Sequence, residues 1–389
     1  MIYFGAFGRD SFGRIRQRDE QFATRLARHF DFVYVERTPK TPMRFVLALL
    51  FRTRGRLLVS REDVKMLFPL AFNNANWSVA YGGHPDEGLM RQLTHWMSLQ
   101  ERNELPLVWV QWPSSYARGV VESQDSFLVY DCMGKFAERE FPSGIRENDR
   151  WLQDRADILL TDSPVTCRLL ESQGLRPHFV PQGVEQSWVR TGVEAVHDVV
   201  NRRPRIGYIG SFHGVFDINL VAQVASLCPD YDFELVGPPT AAAIEALSRV
   251  PNVSFLGHVA FDHLPTLLES FDAGIIPYTV NDLSESVYPT KLFEYLAFGL
   301  GVVSTRLPSL AGFGDSIIFA DSAQCFAAAC RTAVAQRRDP ELTQHRVLQA
   351  RDNTWERRIA TILEILEING VSTTRSAASD ASGDTPTTE

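Results

Sequence analysis

The sequence predicts an α/β protein of two doubly wound, Rossmann-like domains that face each other across a cleft. The chain has 389 residues, which corresponds to about two ordinary domains. Its hydrophobic fraction of 44% and charged fraction of 22% are those of a globular protein. Short β-like runs alternate with amphipathic, helix-length stretches along the chain. This alternation is typical of parallel sheets that are covered by helices on both faces.

The first domain is predicted over residues 1–185. An amphipathic helix is expected from Gln17 to Phe30, between the first two strands. Short runs rich in β-branched and aromatic residues predict the strands of this domain. These strands are Ile2–Phe7, Phe32–Val35, Leu57–Val59, Leu107–Val110, Phe127–Tyr130 and Ile158–Thr161.

The second domain is predicted over residues 205–350, after a polar interdomain linker at 186–204. Asp217 is the expected N-cap of its first helix. The apolar face of that helix comprises Leu220, Val221, Val224 and Leu227. The strands are predicted at Ile206–Ile209, Phe233–Val236, Val253–Leu256, Gly274–Pro277, Val302–Thr305 and Ile317–Ala320.

A C-terminal helix is predicted over residues 351–370, followed by a disordered tail at 371–389. The tail has almost no large apolar residue, so it could not bury enough surface to fold. The helix is predicted from apolar residues that recur on one face. They are Trp355, Ile359, Ile362, Leu363 and Leu366.

The charge of the chain argues against nucleic acid as a partner. The formal net charge is −8, with 39 basic and 47 acidic residues, and such a surface repels phosphate backbones. Residues 1–60 are locally basic, with twelve Arg or Lys and five Asp or Glu. This segment indicates either a local site for anions or a solvated helix face.

The cysteines and the N-terminus predict a cytoplasmic protein. The five cysteines are odd in number and none has C-x-x-C spacing, which fits a reducing compartment; no signal peptide precedes the first strand. The apolar run at residues 45–51 lies among Arg44, Arg52, Arg54 and Arg56. It is interpreted either as an interfacial segment at the inner membrane surface or as a core helix with surface arginines.

Small residues follow several predicted strands, where ligands of open parallel sheets bind. After the first strand, Gly8 and Arg14 lie in a glycine-rich stretch whose spacing is not the G-x-G-x-x-G of dinucleotide-binding proteins. This stretch is either a ligand loop or a surface loop. In the second domain, small residues leave room for a planar or phosphorylated ligand. The strand-end residues there are Gly210, Ser211, Gly237, Gly257, His258 and Val259.

The most informative pair is Lys291 and Glu294, in a helix predicted to begin near Pro289 and to end at Gly299. A cation in a first helical turn is unfavourable unless an anion binds there, because the helix N-terminus is already positive. Amides, dipole and Lys291 would then converge on a phosphate. Glu294, one turn later, could accept hydrogen bonds from two ribose hydroxyls. An intrahelical ion pair between the two residues is the alternative.

These segments resemble the nucleotide-sugar-binding half of GT-B glycosyltransferases, in particular the retaining family 4 type and its relatives in bacterial polysaccharide synthesis. The most specific matching segment is KLFEYLAFG. The other segments that match are RIGYIGSFHGVFDINLVAQVA, FELVGP, PNVSFLGHV and YPTKLFEYLAFGLGVVST, with weaker similarity in LVYDCM, ADILLTDSP and VPQGVE.

The resemblance implies a nucleoside-diphosphate sugar as donor, UDP- or GDP-linked, with no further cofactor and no metal. By analogy with the family, Lys291 binds the diphosphate and Glu294 the ribose. The remaining implied contacts are Gly210 and Ser211 with the diphosphate and His258 and Val259 with the base.

The sequence also departs from the family at three points. The position eight before Glu294 is Ser286, so its neighbour Glu285 is the candidate for the contact with the donor sugar. Ser211 and Phe212 stand where many members carry a second phosphate-binding arginine, and Arg14 or Arg16 of the facing domain is the expected replacement.

The third departure follows Asp131, where Gly134 and Lys135 replace an acidic residue of the family. Asp131 is expected to end a strand at the cleft, where it binds the acceptor or positions its hydroxyl. A helix or turn cap is the alternative.

The function predicted from these residues is transfer of a hexose from the donor to a glycan or lipid-linked acceptor, with retention. Lys291, Glu285 and Asp131 are the catalytic candidates. The alternatives are a donor-binding scaffold without activity and a sugar-nucleotide epimerase.

Overall fold

A computed structural model describes residues 1–4, 18–30, 32–35, 60–61, 64–67, 105–134, 143–190, 202–212 and 214–373. Within these residues the chain forms two sheets, and helices connect their parallel strands. The predicted α/β fold of two Rossmann-like domains is therefore confirmed.

In the first domain, the described strands are β1 (Ile2–Phe4), β2 (Val33–Val35), β3 (Ser60–Arg61), β4 (Val64–Leu67), β5 (Leu107–Val110), β6 (Phe127–Cys132), β7 (Ile158–Thr161) and β8 (Pro177–Phe179). The described helices are α1 (Arg18–Leu26), α2 (Ser115–Ser123), α3 (Ser143–Arg155) and α4 (Pro164–Ser172). The strand order is β3-β4-β2-β1-β5-β6-β7-β8, and all pairs are parallel except β3 with β4.

The sequence did not predict β4 or β8. Strand β8 is short, starts with a proline and lies at the edge of the sheet, where Phe179 is 41% exposed. It therefore lacks the continuous apolar run by which a buried strand is recognised. The strand predicted at Leu57–Val59 lies outside the described residues.

In the second domain, the strands are β9 (Arg205–Ile209), β10 (Asp232–Val236), β11 (Val253–Gly257), β12 (Ala273–Ile276), β13 (Gly301–Ser304) and β14 (Ile317–Phe319). The helices are α5 (Ile218–Leu227), α6 (Ala241–Leu247), α7 (Leu264–Ser270), α8 (Asp282–Glu285), α9 (Lys291–Ala297), α10 (Ala323–Gln336) and α11 (Pro340–Arg351). The strand order is β11-β10-β9-β12-β13-β14, and every pair is parallel.

Asp217 is the N-cap of α5, as predicted, and its carboxylate accepts a hydrogen bond from the Leu220 amide at 2.9 Å. The assignment of Leu227 to the buried face was wrong, because its side chain is 39% exposed. The buried stripe of α5 runs through Val221, Val224 and Ala225. Cys228, just after the helix, continues that stripe and is buried instead of Leu227.

The last described helix, α12 (Trp355–Ile368), packs on the first domain although it follows the second in the chain. The Trp355 ring meets Phe22 of α1 edge to face, with the centroids 5.8 Å apart. Val184 and Thr354 form a parallel β-bridge. The segment that leaves the first domain and the segment that returns to it therefore lie side by side. Four residues of the predicted apolar face are buried and Leu363 is partly buried against the same cluster.

The start of the predicted linker belongs to the second domain. Residues Gln186–Trp188 form a short 3-10 turn, and Trp188 is buried against Phe261 with ring centroids 4.6 Å apart. Residues 191–201 and the tail beyond 373 lie outside the described residues. Among the described helices, none combines the length and the hydrophobicity that crossing a bilayer requires.

Candidate functional site

Three neighbouring strands of the second sheet end in glycines at the same edge. Gly210, Gly237 and Gly257 end β9, β10 and β11, with φ angles of 150°, 131° and 66°. The Gly210 amide donates to the Val236 carbonyl at 2.9 Å, and the Gly237 amide donates to the Gly257 carbonyl at 2.8 Å. Residues with a side chain rarely adopt positive φ angles of this kind, so glycine is favoured at each of these three turns.

For the nucleoside diphosphate that the sequence predicts as a ligand, we expect Gly237→Ala to weaken binding about tenfold, with UDP as the probe. A Cβ atom at Gly237 would lie 2.0 Å from the Gly210 carbonyl oxygen, so the Gly210 turn must shift. The positive φ adds backbone strain on the order of 1–3 kcal/mol. Titration calorimetry of the two proteins measures the difference. Gly312→Ala, whose Cβ meets no atom within 4 Å, is the control, and equal UDP affinity in all three proteins would contradict the prediction.

Lys291 is the first residue of α9, with Thr290 as N-cap. The predicted start at Pro289 is two residues too early, although the Leu292 amide already donates to the Pro289 carbonyl at 3.1 Å. The Thr290 side chain makes no capping hydrogen bond. Gly299, with a φ of 68°, follows the end of α9 as predicted.

The Lys291 ammonium lies beside the end of β9, among tyrosines. It donates to the Tyr278 hydroxyl and lies 4.8 Å from the centroid of that ring and 5.3 Å from the centroid of Tyr208. A Cβ atom at Gly210 would be 3.3 Å from Lys291 Nζ. Among the described residues Lys291 donates to Tyr278 and forms no ion pair with Glu294, although its charge lowers the pKa of the Glu294 carboxyl. The arrangement therefore favours a site for an anion over an intrahelical ion pair.

The sequence placed Tyr278 at the end of a predicted strand, next to Pro277, but it did not identify Tyr278 or Tyr208 as a partner of Lys291. Tyr208 is fully buried, and its hydroxyl donates to the Ser211 carbonyl at 2.7 Å. The Tyr278 carbonyl accepts from the Thr305 hydroxyl at 2.7 Å, which ties this loop to the end of β13. Aromatic residues in strands usually signal core packing, so nothing in the sequence marked these two as partners of a lysine.

Glu294 lies one turn after Lys291 and is partly buried. Burial raises the pKa of its carboxyl to about 7, although the Lys291 charge acts in the opposite direction. Its carboxylate accepts no hydrogen bond from any described residue. Its oxygens are not among the buried atoms that lack a partner, so they are accessible and could accept hydrogen bonds from ligand hydroxyl groups.

The remaining predicted donor contacts lie at the same edge. Ser211 and His258 are exposed, and Val259 is partly buried against the core of the second domain. Glu285 ends α8, just before the loop that leads to Lys291, and is partly buried, whereas Ser286 is 3% exposed. Gly8 and Arg14, together with Arg16 and residues 44–56, lie outside the described residues.

Asp131 lies at the carboxyl edge of the first sheet, at the end of β6, and is fully buried. Its oxygens accept from Arg18 Nε and Nη2 at 3.0 and 2.9 Å, and from Gln111 Nε2 at 2.8 Å. The alternative of a helix or turn cap does not apply, because these partners are side chains from α1 and from the end of β5. Arg18 and Gln111 were not predicted, since ion pairs between distant chain segments leave no spacing pattern.

The loop between α8 and α9, residues 286–290, contacts the first domain through Tyr288. The Tyr288 ring meets Phe179 of β8 edge to face, with the centroids 6.0 Å apart. Burial raises the pKa of the Tyr288 hydroxyl, and the charge of Asp162 raises it further while Arg358 lowers it. Asp162 directly follows β7.

Comparisons with known proteins agree with this arrangement. Residues 203–336 match a family described as "Glycosyl transferases group 1". The chain is 31% identical over 188 residues to the putative teichuronic acid biosynthesis glycosyltransferase TuaH of Bacillus subtilis (strain 168), a match that covers 46% of this chain and 47% of TuaH. The match thus spans about half the length of that curated relative.

Solved GT-B structures share the whole fold. Anabaena Alr3699/HepE, in complex with UDP and glucose, has a TM-score of 0.67 and 13% identity and covers 94% of this chain and 98% of its own. The sucrose-phosphate synthase of Thermosynechococcus elongatus has a TM-score of 0.66 and 12% identity and covers 90% of this chain and 92% of its own. At these identities, the likeness establishes the fold alone.

Proposed function

We propose that this chain, which has the GT-B fold and a segment that matches the glycosyl transferases group 1 family, transfers a sugar from a nucleoside-diphosphate donor to a hydroxyl of a glycan or lipid-linked acceptor. TuaH, the relative with 31% identity, is named for teichuronic acid biosynthesis, which supports a cell-surface polysaccharide as the product class.

One observation carries the proposal: a cation, closely packed glycines and an accessible carboxylate that accepts no hydrogen bond from the described residues lie at one sheet edge. Lys291 and Gly210 are matched to the charge and the size of a diphosphate. Glu294, one helical turn away, is matched to a ribose diol. A nucleoside diphosphate presents these two groups in that order.

The chemistry proposed for this edge is stabilisation of the leaving group. As the bond between the anomeric carbon and the diphosphate breaks, negative charge develops on the phosphate oxygens and positive charge on the sugar. The Lys291 ammonium stabilises the developing phosphate charge. In a retaining reaction, the departing diphosphate accepts the proton of the acceptor hydroxyl that attacks from the same face. Lys291 supplies this stabilisation without a divalent metal.

Two further residues complete the proposal. Glu285 lies just ahead of the Lys291 loop and contacts the donor sugar. The Asp131 carboxylate is fully engaged by Arg18 and Gln111. Its role toward the acceptor is therefore indirect: it holds these two side chains in position.

A thermal-shift panel of UDP-, GDP-, dTDP- and ADP-sugars tests the proposed donor class. A ligand that binds only the folded state stabilises it, and at a concentration 100 times the Kd the gain is about 2.7 kcal/mol. We expect UDP-sugars to give the largest shift, since HepE is described in complex with UDP-glucose. If no nucleotide sugar shifts the unfolding temperature, the proposal fails.

A donor-hydrolysis assay then separates an enzyme from a donor-binding scaffold. An enzyme releases UDP slowly from UDP-sugar in water, whereas a scaffold binds the donor without cleaving it. Release of UDP that disappears in Lys291→Ala would identify catalysis at this edge. An epimerase would instead convert the sugar while it remains attached to UDP, which chromatography of the products would show.

We further propose weak, reversible attachment to anionic membranes through residues 44–56. The apolar run flanked by Arg44, Arg52, Arg54 and Arg56 carries this expectation. Each basic residue near an anionic surface contributes about 1 kcal/mol, and salt screens the attraction. Flotation with anionic liposomes should carry the protein at low salt and release it at high salt. If no protein floats at low salt, the segment belongs to the core.

A further inference from the structure

Two buried tyrosines contact the Lys291 ammonium. The ammonium donates a hydrogen bond to the Tyr278 hydroxyl and lies 4.8 Å from the centroid of that ring. It also lies 5.3 Å from the centroid of the Tyr208 ring. The faces of aromatic rings attract cations at such distances, so both rings and one hydroxyl draw the ammonium to this place.

The backbone of Tyr278 is fixed from two sides. Its carbonyl accepts a hydrogen bond from the Thr305 hydroxyl at 2.7 Å, just after β13. Tyr278 also forms an antiparallel bridge with Phe216, and the amide of Thr279 donates to the Val215 carbonyl at 2.7 Å. The Tyr278 hydroxyl is therefore presented from a segment that is joined to the chain after β9 and to the chain after β13.

Tyr208 connects the ammonium with the Gly210 turn. Its hydroxyl donates to the Ser211 carbonyl at 2.7 Å. A Cβ atom at Gly210 would be 3.1 Å from the Tyr208 hydroxyl oxygen and 3.3 Å from Lys291 Nζ. The hydroxyl and the ammonium thus lie against the same point of this turn. Burial raises the pKa of the Tyr208 hydroxyl, and the neighbouring Tyr278 hydroxyl raises it further.

The groups that hold Lys291 are neutral, so they leave its charge uncancelled. Tyrosine hydroxyls are uncharged at neutral pH. Arg18 in the first domain provides the contrast, because it donates to both oxygens of Asp131 at 3.0 and 2.9 Å. The charge of Arg18 is balanced within the protein, whereas among the described residues Lys291 has a hydroxyl and two rings as partners.

Such an arrangement prepares Lys291 for an anion. A lysine side chain is flexible, and a ligand that must immobilise it loses part of its affinity. A ligand that meets an ammonium already in place avoids this loss. It also has no ion pair to break.

We propose that Tyr278 and Tyr208 are positioning residues for the donor diphosphate, which hold the Lys291 ammonium against the Gly210 turn before the donor binds. This inference rests on the proposed function. It gives a role to two residues that the sequence analysis did not connect with Lys291. Tyr278 acts through Lys291 and does not itself touch the diphosphate.

The variant Tyr278→Phe tests the inference, because it removes the hydroxyl and keeps the ring. Tyr231→Phe is the matched control. Tyr231 lies just before β10, at the opposite edge of the same sheet, so this variant also removes one tyrosine hydroxyl from the second domain.

The first measurement is NMR relaxation of the full chain without nucleotide, with ¹³C at the ε-carbon of lysine. The chain has four lysines, so the spectrum is simple and Lys291→Met assigns the signal of interest. The order parameter of the Lys291 ε-methylene should fall by about a third in Tyr278→Phe, the difference between a rigid and a flexible group. It should be unchanged in Tyr231→Phe. The four lysines are Lys40, Lys65, Lys135 and Lys291.

The second measurement is calorimetry with UDP and with uridine. Tyr278→Phe should weaken UDP binding about threefold to tenfold, as expected when the ligand must immobilise one flexible side chain. Uridine, which lacks the diphosphate, should bind Tyr278→Phe and the wild type equally. In a Lys291→Met chain, adding Tyr278→Phe should change the UDP affinity by less than about twofold, because no ammonium remains to be positioned.

Three results would overturn the inference. The first is an unchanged order parameter of Lys291 in Tyr278→Phe, and the second is an unchanged UDP affinity in that variant. The third is an equal loss of UDP affinity from Tyr278→Phe in the wild-type and Lys291→Met chains, which would show that Tyr278 does not act through Lys291.

The wild type alone tests the proposed function separately. If it binds neither UDP nor GDP in calorimetry, the proposed function is refuted. The NMR comparison needs no nucleotide, so it still decides whether Tyr278 holds Lys291 in place.

Discussion

Replacing Lys291 with alanine is expected to weaken the binding of UDP by about 100-fold and to abolish release of UDP from a donor sugar. Hydrogen bonds to charged groups contribute about 1.5–3 kcal/mol each, and the loss of a diphosphate-bound ammonium lies at the upper end of that range. The ammonium is held by Tyr278 and by two aromatic rings, so it is already in place before a ligand arrives.

Two further variants make this prediction specific. Lys291→Met keeps the aliphatic packing on Tyr208 and removes the charge, so it should bind UDP as weakly as alanine. Arg203→Ala removes a cation at the opposite edge of the same sheet, where Arg203 pairs with Asp232, and should leave binding unchanged. Calorimetry with UDP measures all four proteins. Wild-type affinity in Lys291→Met would show that the charge has no role.

Replacing Glu294 with glutamine is expected to weaken the binding of UDP by about 10- to 100-fold. The binding of 2′,3′-dideoxyuridine diphosphate should weaken much less. The carboxylate can accept from both ribose hydroxyls, and each such bond is stronger to a charged than to a neutral acceptor. Comparison of the two ligands isolates the ribose contact from any change in the diphosphate site. Equal weakening of both ligands would leave Glu294 a structural role only.

The affinity for UDP is also expected to depend on pH through Glu294. Burial raises the pKa of Glu294 to about 7, and hydroxyl donors prefer the charged form. The affinity of the wild type for UDP should therefore rise between pH 6 and pH 8 and then level off. The terminal phosphate of UDP ionises at a pKa of about 6 and affects both proteins equally. Because the glutamine side chain does not titrate, the affinity of Glu294→Gln should rise less over this range than that of the wild type.

Stability should change in the opposite sense to affinity. The pKa of Glu294 is higher in the folded chain than its ordinary value of 4.5, so burying the charged form destabilises the fold. The free energy of unfolding of the wild type therefore falls as the pH rises from about 4.5 to about 7. Without ligand, Glu294→Gln should be more stable than the wild type at pH 8, by about 1–3 kcal/mol, and the difference should shrink at pH 5. Thermal unfolding at both pH values tests this.

The local pattern of the sequence predicted the elements whose residues are adjacent in the chain. The strands of the second domain are short runs rich in apolar and β-branched residues, and Asp217 caps the helix after β9 by a contact within three residues. Lys291 and Glu294 were found in the same way, because a helix places residues three apart on one face. Strand β8 escaped prediction because its sequence, Pro-His-Phe, contains no run of apolar residues, whereas the edge strand β11 does contain one.

What surrounds these residues was decided by tertiary structure. Tyr208 and Tyr278 reach Lys291 from the ends of two different strands, and Arg18 reaches Asp131 from a helix 113 residues earlier in the chain. The apolar face of α12 was visible in the sequence, but its packing against Phe22 of the first domain was not.

The sequence by itself determined the fold class, the strand-end glycines and the Lys291–Glu294 pair, because period, turn chemistry and helical spacing are local properties of the chain. The tertiary structure alone decided which groups hold Lys291 and that Asp131 is neutralised by Arg18. These contacts depend on how strands are ordered in the sheets and how the two domains meet. Hydrogen bonds and charge pairs between distant segments leave no periodic signal in one sequence.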